Sequence, residues 1–249
     1  MWQRRCSHVG NETDPKVCVI LPVYNDRVAL ERAIPQTIGV LEKIAGSFEV
    51  IVAEDGSTDG SREFVEQFAV TDSRVRLLHS DQRQGRGRAL TRAIQAAQAP
   101  VVCYYDVDLA TDLKHLPELV DSIRRGFDIA TGSRLMQGSG VRRSGGREFT
   151  SRGYNLLVRM VLGSTLLDHQ CGFKAFNRDR LISLLPQVHA THWFWDTEVL
   201  VRAQKAGYRV REFAVQWTEG KGTTVKPRDV VAMGTAVFDL WWRLHVSET

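Results

Sequence analysis

The chain has 249 residues, enough for one large α/β domain or two smaller ones. Lys and Arg number 33 and Asp and Glu number 29, so the formal net charge is only +4. This small excess does not indicate a nucleic-acid-binding protein, and no nucleic-acid partner is expected. With 43% hydrophobic and 25% charged residues, the composition is that of a folded globular protein and excludes a largely disordered chain.

The cysteines and the first residues of the chain set expectations about its compartment. No CxxC pair is present, and Cys18 and Cys103 lie inside apolar runs, so neither a disulfide framework nor a cysteine zinc site is expected. Residues 1–15 lack the apolar core of a signal peptide and are predicted to be a flexible N-terminus. No stretch reaches the roughly 20 apolar residues of a membrane span. We therefore expect a cytoplasmic protein, either free or peripheral at the cytoplasmic face of a membrane.

Strands and helices are predicted to alternate from residue 16 to residue 132. Short apolar, β-branched runs predict strands at 16–22, 48–53, 75–79, 101–105 and 128–132. Apolar residues at helical spacing predict helices at 28–44, 61–68, 87–98 and 116–125. This order predicts an α/β fold in which helices cover both faces of a mostly parallel central sheet.

The alternation ends after residue 132. Residues 137–147 are rich in Gly, Ser and Arg and are predicted to form a loop. Beyond them we predict helices at 149–162, 178–185, 196–206 and 228–245, and strands at 172–176 and 209–217. No Pro/Ser-rich linker divides the chain, so we predict one domain over 16–226, followed by an amphipathic C-terminal segment, 227–249.

Acidic residues follow several of the predicted strands. In open parallel sheets ligands bind beyond the carboxyl ends of the strands, where Asp55, Asp106 and Asp108 are expected. Residues i and i+2 of an extended segment point the same way, so Asp106 and Asp108 are predicted to converge on one Mg²⁺ or Mn²⁺ ion. An isolated DxD sequence is most often a solvated turn, but this one ends a buried strand.

Three common nucleotide-binding or hydrolytic classes are excluded by missing motifs. No GxGxxG follows the first strand, which argues against a nicotinamide dinucleotide fold. No GxxxxGK[ST] sequence is present, which argues against a P-loop NTPase. No GxSxG elbow is present, which argues against an α/β-hydrolase.

Eight sequence blocks, in order, resemble one enzyme family. The signature of the inverting GT-A glycosyltransferases of family 2 resembles LPVYND (21–26), EDGSTDGS (54–61), QGRGRAL (84–90) and YDVDL (105–109). Four further blocks resemble the polyprenyl-phosphate branch of that family, and above all its dolichyl-phosphate glucosyltransferases. These blocks are GSR (132–134), DHQCGFKAF (168–176), WDTEVL (195–200) and VQW (215–217).

The resemblance implies a GT-A catalytic domain over 16–226, with a Rossmann-like nucleotide-binding half and an acceptor half. It implies a nucleotide-sugar site formed by Pro22, Tyr24, Asn25, Asp55, Gly56, Ser57, Asp106, Val107, Asp108 and Lys226. Within this set, Asp106 and Asp108 would hold the metal. It implies an acceptor-phosphate site of Arg134, Arg147 and Ser151, and a catalytic set of Asp108, Arg134, Asp168 and Asp196.

The implied reaction is a metal-dependent, inverting transfer of glucose from UDP-glucose to a polyprenyl or dolichyl phosphate. A phosphate monoester is already anionic at neutral pH, because its second pKa is about 6, so a strong general base is not required. Three alternatives stay open: another sugar donor such as GDP-mannose or UDP-GlcNAc, a soluble hydroxyl acceptor, and a non-catalytic module that binds nucleotide sugars. The oligomeric state is left open.

Several of these residues have structural alternatives. Asp196 begins a predicted helix and is weighed equally as an active-site residue and as the N-cap of that helix. His169, His189 and His192 are expected to have surface or packing roles, and Cys171 a packing role. The helices at 149–162 and 228–245 are amphipathic. Each either lies at a membrane surface or packs on the sheet or a second subunit, so a membrane surface is a further expected partner.

Overall fold

The computed structural model describes residues 16–142, 145–219 and 227–247, without the side chains of 145–147, 227–230 and 247. Its strands are β1 (Val17–Val23), β2 (Phe48–Glu54), β3 (Val75–Leu78), β4 (Val101–Tyr105), β5 (Ile129–Ser133), β6 (Gly140–Arg142), β7 (Phe173–Asn177), β8 (Val210–Ala214) and β9 (Gln216–Thr218). Its α-helices are α1 (Arg27–Ile44), α2 (Ser61–Thr71), α3 (Arg86–Ala96), α4 (Leu116–Arg124), α5 (Gly145–Leu162), α6 (Arg178–Leu184), α7 (Trp195–Lys205) and α8 (Pro227–Trp242).

A seven-stranded sheet with the order β3-β2-β1-β4-β7-β5-β8 forms the centre of the molecule. Every pairing in it is parallel except those of β7, which runs antiparallel to both β4 and β5. The predicted mostly parallel α/β fold is therefore confirmed. The second strand element, a parallel pair of β6 and β9, lies outside this sheet.

The central strands β1 and β4 are buried on both faces, which explains why they are uninterrupted apolar runs. Along β1, Val17, Val19 and Leu21 face a core shared with α1 and α4, while Cys18 and Ile20 face a core shared with α3 and α7. A third apolar cluster joins α5, α7 and α8 at one end of the molecule. In the described part of the chain, no helix combines the length and hydropathy needed to cross a bilayer.

Two predicted elements in the second half of the chain are wrong. Residues 137–147 were expected to be a loop, but they contain β6 and the first turn of α5. Residues 209–217 were expected to be one strand, but they form β8 and β9. The chain leaves the central sheet after Ala214 because β9 pairs with β6 instead of continuing beside β5. Alternating polarity predicts extended backbone but not the neighbour with which it pairs.

The carboxyl ends of β1, β2, β4 and β5 lie at one edge of the sheet, because these strands are parallel. The antiparallel β7 begins at the same edge, since Phe173 pairs with Tyr105 at the end of β4. The residues just beyond these strand ends therefore come together, although they are far apart in sequence. The candidate site is built from them and from the first residues of α3 and α7.

Candidate active site

The turns after β1 and β2 are joined by hydrogen bonds between Asn25 and the segment Ser57–Thr58. The backbone N–H of Asn25 donates to Ser57 Oγ at 2.9 Å, and the backbone N–H of Thr58 donates to Asn25 Oδ1 at 2.7 Å. Asn25 has a φ of 51°, a left-handed conformation that Asn tolerates better than most residues. The structure thus brings two predicted site residues, Asn25 and Ser57, into direct contact.

Asp55 is buried and its carboxylate is occupied by backbone groups. Its Oδ1 accepts from the N–H of Gln84 at 2.9 Å, and its Oδ2 accepts from the N–H of Gly85 at 2.8 Å. The adjoining Gly56 has a φ of 78°, and a Cβ there would lie 2.7 Å from the backbone N of Arg83. Asp55 and Gly56 therefore fix residues 83–85 against the end of β2.

An aromatic surface flanks these turns. Tyr24 is 37% exposed, and the guanidinium of Arg83 lies over its ring at 3.9 Å from the ring centroid. Pro22 is half-buried within β1, two residues before Tyr24. Tyr24 and Arg83 offer a flat, solvent-accessible face of the kind that stacks with planar rings.

The two carboxylates of the DxD sequence flank a buried residue. Val107 packs into the core, whereas the Asp106 side chain is 46% exposed. Asp108 Oδ1 accepts from the N–H of Ala110 at 3.0 Å. Burial raises the pKa of Asp108, and the negative charge of Asp106 raises it further. Asp106 itself lies over Gly172, where a Cβ would approach Asp106 Oδ2 to 2.1 Å.

This pair fits a hard divalent cation. Carboxylate oxygens are the ligands that Mg²⁺ and Mn²⁺ prefer. Burial is the main cause of the raised pKa of Asp108, and the contribution of Asp106 to it shows that the two carboxylates repel each other, which a cation between them would offset. Among the described residues, no group of three or more His, Cys, Asp or Glu side chains is arranged to hold a metal. Such a cation would therefore complete its coordination with water and phosphate oxygens, as Mg²⁺ usually does.

Arg134 and Asp168 form a bidentate ion pair at the end of β5. Arg134 Nε and Nη2 donate to the two carboxylate oxygens at 2.7 and 2.9 Å, and the Arg134 backbone N–H donates to Oδ2 at 3.0 Å. Burial by itself would raise the pKa of Asp168, but the Arg134 guanidinium outweighs it and holds this pKa well below its usual range. Asp168 is thus a permanent anion that orients Arg134.

A second, longer network surrounds Asp196. Asp196 Oδ2 accepts from Arg86 Nη1 at 2.6 Å, and Oδ1 accepts from Lys174 Nζ at 2.9 Å and from the hydroxyl of Tyr104. The other arm of the Arg86 guanidinium, Nη2, donates to Asp106 Oδ1 at 2.8 Å. Burial raises the pKa of Asp196 to about 6, and burial lowers the pKa of Lys174 to about 7.

The alternative role of Asp196 as a helix N-cap is wrong. Helix α7 begins at Trp195, and Phe194 occupies its N-cap position without a side-chain hydrogen bond. Asp196 lies inside the first turn, where its side chain is almost fully buried in the network with Arg86 and Lys174. A cap faces the free N–H groups of the first turn, whereas this carboxylate faces the centre of the molecule.

Arg86 and Lys174 are the site residues that the sequence did not single out. Both fall inside blocks that carried the resemblance, QGRGRAL and DHQCGFKAF. The sequence around a single basic residue, however, does not show which acidic residue it contacts. The signal that was available is Lys174 inside a short apolar strand, since Lys is almost never fully buried unless it is paired.

The remaining predicted residues have mixed outcomes. Ser151 lies on α5, and its backbone carbonyl accepts from Asn155 Nδ2 at 2.9 Å. The side chain of Arg147 and all of Lys226 fall outside the described residues. The packing roles expected for His169 and Cys171 are confirmed: both are fully buried, and His169 Nε2 lies 2.7 Å from Ser164 Oγ.

Comparison with known proteins gives one matching family model, Glycosyl transferase family 2, over residues 18–185. Among curated relatives, the glycosyltransferase AglD of Haloferax volcanii is 49% identical over 93% of this chain, which spans only 38% of that protein. The dolichyl-phosphate beta-glucosyltransferase of Dictyostelium discoideum is 30% identical over 84% of this chain and 68% of its own length.

Solved structures of similar fold include glucosyl-3-phosphoglycerate synthase from Mycobacterium tuberculosis in complex with Mn²⁺, UDP and glucosyl-3-phosphoglycerate. The TM-score is 0.66 at 22% sequence identity, and the match covers 97% of this chain and 85% of that one. At this identity the similarity establishes the shared GT-A architecture.

Proposed function

The chain belongs to glycosyl transferase family 2, and from this premise we propose that it transfers glucose from UDP-glucose to a polyprenyl or dolichyl phosphate. The observation that carries the proposal is that the DxD carboxylates and the Arg134–Asp168 pair lie at the same edge of the sheet. Asp106 and Asp108 offer a cation site for a diphosphate, and the charge of Asp106 also acts on the Arg134 guanidinium, which Asp168 holds in place.

The sugar-donor side is assigned to the ends of β1, β2 and β4. We assign the nucleoside to the turns carrying Asn25 and Ser57, beside the flat face of Tyr24, with Pro22, Asp55 and Gly56 shaping that pocket. Asp106 and Asp108, backed by Val107, would hold a Mg²⁺ or Mn²⁺ ion. When bound, this ion neutralises charge that grows on the departing diphosphate.

The acceptor side is assigned to Arg134. Its ion pair with Asp168 uses Nε and Nη2, so Nη1 is the guanidinium nitrogen that takes no part in that pair. Arg is suited to this role because its planar fork matches phosphate geometry. The resemblance adds Arg147 and Ser151 on α5 for the acceptor phosphate, and Lys226 for closing over the diphosphate of the sugar donor.

The chemical step is a direct displacement. An oxygen of the lipid phosphate attacks the anomeric carbon, and the bond from that carbon to the diphosphate oxygen breaks with its electron pair leaving on UDP. Attack from the opposite face converts an α-linked sugar donor into a β-linked product. The protein holds two anions close together, and its fixed cationic side chain Arg134 lowers their repulsion.

Asp168 and Asp196 are poorly placed to act as a general base, which favours an anionic acceptor over a hydroxyl. The Arg134 guanidinium binds both carboxylate oxygens of Asp168 and lowers the pKa of Asp168. Asp196 is buried and accepts from Arg86, Lys174 and Tyr104. We propose structural roles in the catalytic site for both: Asp168 positions Arg134, and Asp196 organises the network behind Asp106.

The choice of glucose as the sugar and of a polyprenyl phosphate as the acceptor is supported by similarity to dolichyl-phosphate glucosyltransferases. Dolichyl-phosphate beta-glucosyltransferases from Dictyostelium discoideum and Homo sapiens are 30% and 29% identical to this chain. AglD is more similar, but this chain spans well under half of it. We therefore propose glucosyl transfer as an activity of the region that this chain shares with these relatives.

A lipid acceptor has to be reached at a membrane surface, and α5 and α8 offer an exposed apolar face for it. Phe149 and Met160 on α5 are 82% and 75% exposed, and Phe238 and Trp242 on α8 are each 56% exposed. Arg159 lies on the same helix as Met160. Apolar side chains flanked by Arg are typical of helices that lie in the membrane interface.

The test is a transfer assay with the purified protein, Mn²⁺ and labelled UDP-glucose, with and without polyprenyl phosphate. Label entering the organic phase only when polyprenyl phosphate is present supports the proposal. Label transferred to a soluble hydroxyl acceptor instead would overturn the lipid assignment, and transfer from GDP-mannose or UDP-GlcNAc but not from UDP-glucose would overturn the sugar. UDP binding without turnover on any acceptor would overturn the proposed reaction.

A further inference from the structure

The guanidinium of Arg86 joins the two parts of the site. Nη2 donates to Asp106 Oδ1 at 2.8 Å, and Nη1 donates to Asp196 Oδ2 at 2.6 Å. Only 13% of the Arg86 side chain is exposed, against 46% of the Asp106 side chain. One planar fork thus spans a proposed cation ligand near the surface and a carboxylate in the interior.

The backbone and the ring contacts of Arg86 leave it little freedom. Arg86 is the first residue of α3, and the next N–H, that of Gly87, donates to the carbonyl of Thr191 at 2.9 Å. A Cβ on Gly87 would lie 2.7 Å from the Cβ of Trp195, so the starts of α3 and α7 touch. The guanidinium lies 5.2 Å from the ring centroid of Tyr104, within the range of a cation–π contact.

The inner end of the bridge is fixed as well. Asp196 Oδ1 accepts from Lys174 Nζ at 2.9 Å and from the hydroxyl of Tyr104, so only Oδ2 faces Arg86. Lys174 is held in turn by the backbone carbonyls of His169, at 3.3 Å, and Cys171. Asp196 is therefore a rigid anchor whose position is set by β4, β7 and α7 together.

We propose that Arg86, anchored by Asp196, is a positioning residue for the cation site: it fixes Asp106 through Oδ1 and leaves Oδ2 for the ion. This inference rests on the proposed function. Oδ2 lies over the bare Cα of Gly172, and the glycine leaves room for this oxygen where a Cβ would displace it. Carboxylate ligands of metals are commonly oriented by such an outer hydrogen bond, and losing it costs about 10- to 100-fold in metal affinity.

The test is a Mn²⁺ titration in the presence of UDP, with free Mn²⁺ followed by electron paramagnetic resonance. We expect Arg86→Met to weaken Mn²⁺ binding about 10- to 100-fold. Arg86→Lys keeps the charge but reaches one carboxylate instead of two, so its loss is smaller. Arg88→Met is the matched control, because Arg88 is exposed on the same helix, and its Mn²⁺ affinity stays at the wild-type value.

A double-mutant cycle tests the anchoring role of Asp196. We expect Asp196→Asn alone to weaken Mn²⁺ binding, and we expect the double variant with Arg86→Met to bind no more weakly than Arg86→Met alone. Losses that simply add would overturn the inference, since Asp196 would then act independently of Arg86. If Arg86→Met does not fold, as judged by its circular dichroism, Arg86→Lys carries the same test.

The outcomes separate this inference from the function on which it rests. Wild-type protein that binds no Mn²⁺ with UDP would overturn both. Wild-type protein that binds Mn²⁺, with an Arg86→Met variant that binds it equally well or more tightly, would overturn the inference alone. The tighter binding would show that the guanidinium competes with the ion for Asp106.

Discussion

The proposed site has two sides, one assigned to the sugar donor and the other to the acceptor, and different interactions hold them together. On the sugar-donor side, short turns after β1 and β2 are fixed by side chains that accept from backbone N–H groups, as Asp55 does from Gln84 and Gly85. On the acceptor side, long-range ion pairs such as Arg134–Asp168 are buried. The sugar-donor side leaves the side chain of Asp106 46% exposed for a ligand, whereas the acceptor side uses its carboxylate to hold a cationic side chain.

This difference predicts that acidic residues on the two sides respond differently to the same substitution. Removing the charge of a DxD carboxylate on the sugar-donor side should affect turnover and leave stability nearly unchanged. Removing one on the acceptor side should affect stability as well, because a buried partner is left without its counter-charge.

The largest effect is expected for Asp108→Asn on the sugar-donor side. Neutralising a leaving diphosphate through a cation is worth several kcal/mol, and about 4 kcal/mol corresponds to a rate loss of about 1000-fold. Steady-state transfer rates measure it, and the melting temperature should stay within about 2 °C of wild type. The exposed Asp179→Asn is the control. An Asp108→Asn variant with the wild-type rate would show that Asp108 does not hold a cation that the transfer reaction needs.

The second effect is on stability and concerns Asp168→Asn. Breaking a buried ion pair from one side costs about 3 kcal/mol or more, which lowers the melting temperature of a chain of this size by roughly 10 °C. Glu118→Gln, which breaks the more exposed pair with Arg211, should cost less than about 1 kcal/mol. Equal shifts in the two thermal melts would contradict the distinction between the sides.

A pH dependence follows from His169, which packs behind Asp168. Burial lowers the pKa of His169 to about 4, below the value of about 6.5 in an unfolded chain. Between these values His169 binds more protons in the unfolded chain, so its contribution to stability falls as the pH decreases from about 6.5 toward 4. At pH 5 this contribution amounts to about 2 kcal/mol.

Chemical denaturation at several pH values checks this dependence. His169→Gln should flatten the loss of stability between pH 6.5 and pH 5, although it changes stability at neutral pH as well. His189→Gln, at an exposed histidine, should keep the wild-type slope. A His169→Gln variant with an unchanged slope would assign the acid sensitivity to other groups.

The smallest effect is expected for Arg147→Ala. Losing one hydrogen bond to a charged group costs about 1.5 kcal/mol, or about tenfold in affinity. We expect the KM for polyprenyl phosphate to rise by that factor, while the KM for UDP-glucose changes little. Arg88→Ala serves as the control for lost positive charge. Equal increases in both KM values would contradict the assignment of Arg147 to the acceptor phosphate.

The sequence predicted the local structure of the proposed sugar-donor side better than the contacts of the proposed acceptor side, for a physical reason. The turn carrying Asp55, Gly56 and Ser57 is a contiguous motif, and the strand before it is a clear apolar run. The i and i+2 spacing of Asp106 and Asp108 follows from extended geometry alone. Local features of this kind can be recognised without knowing which strands are neighbours.

The acceptor side, and the Arg86 bridge that joins it to the sugar-donor side, depend on pairings that no local pattern contains. Arg86 meets Asp106 and Asp196 only because α3 and α7 start at the same sheet edge. The antiparallel direction of β7, which brings Lys174 to Asp196, likewise depends on sheet order. The same limit explains the wrong N-cap role for Asp196 and the single strand predicted where β8 and β9 form.

The most direct measurement is a crystal structure of the protein grown with Mn²⁺ and UDP, with anomalous data collected for manganese. We expect an anomalous peak within bonding distance of Asp106 and Asp108, with the UDP diphosphate on its open side. UDP bound at this edge without a peak there, or a peak held by other side chains, would contradict the central claim.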